Sequence, residues 1–148
     1  MQNLSTTHCQ DIRDNNEIFV PAGKGKTSFI DVRDIASVAV KVMTEPGHKN
    51  KAYALTGSEA LDYYEVADIF TNILGRQIVY TNPSIFKFVW RMYRRGLKTE
   101  FIVVMLGIYT TARLGLAAKI TKDVRHLLQR SPLGMEEFVR SYWASWML

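Results

Sequence analysis

The alternation of apolar and polar positions changes period several times along the chain, and the sharpest change lies in residues 27–43. Ser28-Phe29-Ile30 is a short run of strand formers. From Asp31 onward the repeat becomes helical, with Ile35, Val38, Ala39 and Val42 at i, i+3, i+4 and i+7. Asp31 and Asp34 stand at the change, where a carboxylate can accept hydrogen bonds from the free N–H groups of a first helical turn. Their spacing allows a capping box. Ala36 and Val40 make much of the remaining surface apolar, so this helix is expected to be covered on more than one side. A strand turning sharply into a buried helix is the unit of a layered α/β fold.

The other elements follow from the same patterning. Residues 2–14 are polar with a weak helical repeat, and Asp14-Asn15-Asn16 marks a turn. Glu17 to Val20 reads as a short strand stopped by Pro21, and the glycine-containing link to residues 27–30 predicts a hairpin or close pair. The helix after Asp34 stops at Pro46-Gly47. Ala52 to Leu55 predicts a strand, Asp62-Tyr63-Tyr64-Glu65 a capping box, and Gly75 the end of the helix that follows. Gln77 to Tyr80 predicts another strand, and Asn82-Pro83-Ser84 the start of a further helix. The remainder is helical: Ile85 to Tyr93, then Glu100 to Ala112 (apolar nearly all round), a short helix from a Thr121 cap to Leu128, and a last helix from about Met135.

Composition narrows the function classes. With 148 residues and 47% hydrophobic content the chain can bury a real core. Cys9 has no second cysteine to pair with, which favours a reducing, cytoplasmic setting. The first residues lack the basic start and apolar core of a signal peptide, and the longest apolar run, Phe101 to Tyr109, is too short for a transmembrane segment. Residues 83–148 hold eleven Lys/Arg against four Asp/Glu and carry the basic excess. That excess suits a solvated helix face, or an anionic surface or ligand.

Several features could carry chemistry. Gly25-Lys26-Thr27 looks like the tail of a phosphate-binding loop, but the glycine required five positions earlier is Val20 and a strand follows in place of a helix. The Asp31/Asp34 pair suits capping better than acid–base work. His8-Cys9, His48 and His126 form no metal-ligand spacing, so no metal site is expected. Trp90, Tyr93, Met105 and Tyr109 are the candidates for a substrate pocket, since such pockets are apolar with a few polar tips, although ordinary core packing accounts for the same residues more readily. Lys87, Arg91, Arg94, Arg95 and Lys98 could meet a phosphate, a membrane surface or RNA, although no nucleic-acid module accompanies them.

Three ordered segments carry a family resemblance: Phe29-Ile30-Asp31-Val32-Arg33-Asp34-Ile35-Ala36, Lys51 to Gly57, and Glu65-Val66-Ala67 through Leu74-Gly75-Arg76. Together with Glu136 to Arg140 they resemble the C-terminal part of NmrA-like, atypical short-chain dehydrogenase/reductase proteins. The resemblance implies the end of a doubly wound Rossmann-like α/β sheet over residues 1–82 and a helical substrate-side region over 83–148. It implies an NAD(P) cofactor in the parent family and reduction of a quinone or small carbonyl acceptor. In some members it implies redox sensing without catalysis. Met1-Gln2-Asn3 resembles a family segment near the nicotinamide, which makes Gln2 and Asn3 the cofactor-side candidates. No Gly-x-Gly-x-x-Gly turn and no Tyr-x-x-x-Lys pair occurs in the chain, so no catalytic residue is assigned, and the chain alone is expected to bind NAD(P) weakly and to be inactive. The alternative is a non-catalytic regulator or interaction module that binds a protein or itself through residues 101–109. A frayed start at Gln2 and Asn3 is also expected.

Overall fold

In the computed structural model, which describes residues 1–147, the first helix is α1 (Cys9–Asn15), followed by the strand β1 (Glu17–Ile18). The connection from β1 to β2 (Val79–Tyr80) carries α2 (Val32–Thr44) and α3 (Tyr63–Leu74). The strands are parallel, Glu17 facing Val79 and Ile18 facing Tyr80. Beyond them come α4 (Ile85–Arg94), α5 (Thr99–Arg113), α6 (Asp123–Leu128), α7 (Met135–Ser141) and α8 (Trp143–Trp146). Helix α3 lies against both strands with α7 packed on it, α4 and α5 pair, and α8 rests on α1. The architecture is α/β with a small parallel sheet.

Helix boundaries follow the capping chemistry. Asp31 accepts the Arg33 N–H at 2.8 Å, and Asp62 and Glu65 form the reciprocal capping box of α3. Gly75 closes α3 at φ 66°, a conformation that favours glycine. Ser84 caps α4 through the Lys87 N–H. The core is built from Ile12, Ile18, Val66, Phe70, Phe138 and Trp146, all fully buried. Trp146 meets Phe70 edge-on at 5.0 Å and donates its indole N–H to the Val139 carbonyl at 3.2 Å. A buried indole needs such a partner.

Five expectations are corrected. The hairpin between residues 17–20 and 27–30 does not form, because β1 pairs with β2 and the intervening link is drawn against the end of α5. A Cβ on Gly25 would stand 1.9 Å from the Ala112 carbonyl oxygen, so glycine there permits the close approach. Residues 27–30 are extended, yet their backbone groups go to separate neighbours. Thr27 exchanges hydrogen bonds with Leu61, Ser28 donates to the Ala117 carbonyl, and Ile30 accepts from the Met1 amine. Residues 52–55 form no ladder either. The Ala54 N–H donates to Asp123 and its carbonyl accepts from the Thr121 hydroxyl. Thr121 thus serves that strand-like segment, and Lys122 is the cap residue of α6. The last helix is divided at Tyr142 into α7 and α8.

Helix α2 departs furthest from its pattern. Val38 and Asp34 are buried, while Ile35, Val40 and Met43 are exposed, because the two-stranded sheet packs against α3 and α2 packs against α6. Asp34 completes no capping box. It accepts the Leu133 N–H at 2.7 Å and pairs with Arg130 at 2.7 Å, tying α2 to the link before α7.

Candidate functional site

The apolar run of α5 resolves into a buried stripe of Ile102, Met105, Tyr109 and Ala112, with Phe101, Val103, Val104 and Ile108 exposed. The stripe carries Tyr109 inward to His8, which immediately precedes α1. The His8 Nε2 and the Tyr109 hydroxyl share a short hydrogen bond. The two residues are 101 positions apart in sequence. His8 is 1% exposed, and its Nδ1 is sealed from solvent with no partner among the described residues.

Two cavities meet at this couple. One, of about 200 Å³, is lined by Asn3, Leu4, His8, Thr27, Tyr63 and Tyr109 together with residues 28–30. The other, of about 170 Å³, shares Asn3, His8, Ile108 and Tyr109 and adds Phe101, Val104 and Met105. Such a site, apolar with a few convergent polar groups, has the character of a small-molecule pocket. Burial pushes the His8 imidazole down to about 4, with the nearby Asp11 opposing and Arg95 adding to the shift. Burial also pushes the Tyr109 phenol up, helped by Tyr80, and pushes Tyr63 well up. Near neutral pH the site therefore holds a neutral imidazole and two protonated phenols. Cys9, next in sequence, points its thiol to the Ser145 carbonyl at 3.2 Å.

The sequence candidates separate in space. Met105 and Tyr109 converge on the His8 cavities. Trp90 lines a larger cavity of about 430 Å³ with Phe19, Phe86, Lys87 and Arg94, while Tyr93 is exposed. Size does not make that larger groove the chemical site, because much of its charge is already used. Arg95 grips the buried Asp11 with two hydrogen bonds, of 2.7 and 2.6 Å, and Arg91 reaches Asp11 and Glu17 while stacking on Phe19. Arg91 and Arg95 of the basic cluster thus form an internal clamp onto α1 and β1, while Lys87, Arg94 and Lys98 stay exposed.

The chain start is held, in contrast to the expected fraying. The Met1 amine donates to the Ile30 carbonyl at 2.8 Å, and burial lowers its basicity against the opposing pull of Asp31. Gln2 bridges the beginning of α2, donating to Asp31 and accepting from the Val32 N–H, each at 3.0 Å. Gln2 is therefore occupied structurally, whereas Asn3 reaches both cavities. His8 was invisible as a site residue in the sequence, because only the fold brings it to Tyr109.

The residues present do not fit the phosphates of a dinucleotide. Such a group rests on free N–H groups at a glycine-rich helix start. The starts of α2 and α3 are filled by the carboxylates of Asp31 and Asp62, and α4, which follows β2 directly, is capped by Ser84 behind Asn82-Pro83. Among the described residues there is no group of three or more His, Cys, Asp or Glu placed to hold a metal, and no helix is long and apolar enough to cross a membrane.

No family model matches the chain. It is 34% identical over 145 residues to an NAD(P)H azoreductase of Xenophilus azovorans, covering 98% of this chain and 50% of that protein. It is 30% identical over 151 residues to agroclavine dehydrogenase of Claviceps fusiformis, covering 100% of this chain and 52% of that protein. Among solved structures, an NADPH-dependent quinone oxidoreductase of Escherichia coli superposes with a TM-score of 0.86 at 23% identity, over 95% of this chain and 51% of that one. The chain spans about half the length of the curated relatives it matches. Its relatives are oxidoreductases, and its fold is that of the C-terminal half of Rossmann-like NAD(P)-binding oxidoreductases.

Proposed function

We propose that the chain is the acceptor-side part of an NmrA-like NAD(P)H-dependent oxidoreductase of the short-chain dehydrogenase/reductase type. In this reading residues 1–82 complete the sheet of the nucleotide-binding domain, and residues 83–148 shape the place where a quinone or small carbonyl acceptor binds. In the parent family the nicotinamide supplies the hydride, and Asn3, with Gln2 behind it, belongs to the side of the site that faces it. Met105 and Tyr109 form the acceptor's wall. Trp90 and Tyr93, which sit apart from them, would serve only an acceptor extending toward α4.

The observation that carries the reading is the joined pocket at His8 and Tyr109, formed by a chain in which the two helices between the strands, α2 and α3, start on the carboxylates of Asp31 and Asp62. The chain alone is therefore expected to leave NADPH oxidation by a quinone at the uncatalysed rate, followed by NADPH absorbance. Catalysed turnover by the isolated chain would overturn the division of labour proposed here.

The exposed apolar residues of α5 favour a second reading, a regulator or interaction module that uses residues 101–109 to bind a protein or a second copy. A light-scattering concentration series distinguishes self-association, since this reading expects mass to rise with concentration.

A further inference from the structure

The pocket at the end of α5 holds more hydrogen-bond donors than its own walls can satisfy. The Tyr109 hydroxyl has one hydrogen-bond partner among the described residues, His8. Tyr63 lines the same cavity, and the buried Thr27 Oγ1 has no hydrogen-bond partner among the described residues. The rest of the lining sets the apolar Leu4, Ile30, Ile108 and Met105 beside the polar Asn3, Thr7 and Ser28.

The tautomer of His8 decides which way the Tyr109 proton points. Its Nδ1 is sealed, so a proton there would be an orphaned donor that no water can reach. Buried unpaired N–H groups are rarer in folded proteins than under-used acceptors. The proton therefore sits on Nε2, which donates to the Tyr109 oxygen. With its oxygen already accepting from the ring, Tyr109 is left with its own O–H free to turn into the cavity, where a ligand can accept it. His8 thus acts as a positioning residue, fixing the direction of a phenol donor.

We propose that this cavity binds a small planar apolar compound bearing a carbonyl-type oxygen, with the Tyr109 hydroxyl donating to that oxygen and His8 holding Tyr109 in the donating orientation. The proposal deepens the oxidoreductase reading by assigning the polar anchor of the acceptor, and it rests on that reading for the choice of a quinone as probe. Burial keeps both the phenol protonated and the imidazole neutral near pH 7, as the arrangement requires.

The test uses two probes of matched shape. Duroquinone carries two carbonyl oxygens, and its fully substituted ring does not alkylate the Cys9 thiol. Durene is the hydrocarbon with the same methyl pattern. By equilibrium dialysis the wild-type chain should bind duroquinone about tenfold more tightly than durene, the ratio expected for one well-placed hydrogen bond. Tyr109→Phe should abolish that preference and leave durene binding unchanged, which also shows that the variant is folded. Nitrogen-15 spectra of the wild-type imidazole should place the His8 proton on Nε2, a readout independent of any variant. Equal binding of the two probes, binding of neither, a preference that survives Tyr109→Phe, or a proton on Nδ1 would each overturn the proposal. Failure of the proposed division of labour shows separately, as catalysed turnover of NADPH by the chain alone.

Discussion

Acidification should unfold this protein through His8. Its folded-state value of about 4 lies below the ordinary imidazole value of 6.5, because burial disfavours the imidazolium. The unfolded chain therefore takes up a proton between these values that the folded chain does not. Stability is full above pH 6.5 and falls as the pH drops toward 4, after which this contribution levels off. At about 1.4 kcal/mol per pKa unit, the full loss is about 3 kcal/mol, of which about 2 kcal/mol appears between pH 7 and pH 5. The Met1 amine, whose value burial also lowers, adds a pH dependence of its own. The His8 share is isolated by comparison with His8→Gln, which stays neutral throughout and keeps a side-chain donor. Urea denaturation followed by tryptophan fluorescence at both pH values should show the wild-type midpoint falling by about 1 M more than that of the variant, for slopes of about 1–3 kcal/mol/M. Equal losses in the two proteins would refute the assignment, as would an NMR titration of His8 with its midpoint near 6.5.

The glycines of the link and of α5 should respond in opposite directions. Gly25→Ala drives a methyl into the Ala112 carbonyl and should cost about 1–3 kcal/mol, whereas Gly107→Ala, in an open helical position, should stabilise by about 1 kcal/mol; urea midpoints measure both. Asp11→Ala strips the buried partner from Arg91 and Arg95. It should cost about 3 kcal/mol, the low end for a broken buried pair, because the two arginines keep 33% and 24% of their side chains in water. Asp14→Ala, at the exposed Arg13 pair, should leave thermal stability almost unchanged.

The elements most legible in the sequence were those set by local chemistry. Asp62-Tyr63-Tyr64-Glu65, Gly75 and Ser84 mark helix ends through their own side chains or φ angle, and the structure places those ends where the residues require. Segments whose state depends on distant partners were not legible. Ser28 to Ile30 and Ala52 to Leu55 have strand composition, but their hydrogen bonds go to Ala117, Met1, Asp123 and the Thr121 hydroxyl, neighbours that only the tertiary arrangement supplies. The exposed side of α2 has the same origin. Its repeat shows which residues share a face, and says nothing of whether the sheet reaches that face. Within the candidate site, Met105 and Tyr109 could be picked out as amphipathic residues on an apolar helix. His8 could not, because nothing near it in sequence announces a partner on α5. The internal pairing of Arg91 and Arg95 was illegible for the complementary reason, since the acids that engage them lie in α1 and β1.

The central claim, that this chain shapes an acceptor's pocket without cradling the dinucleotide, is tested most directly by calorimetric titration of NADPH and of duroquinone into the same preparation. Saturable binding of the quinone, with no saturation by NADPH in the micromolar range, is the expected result. Micromolar binding of NADPH, with helix starts already filled by Asp31 and Asp62, would contradict it.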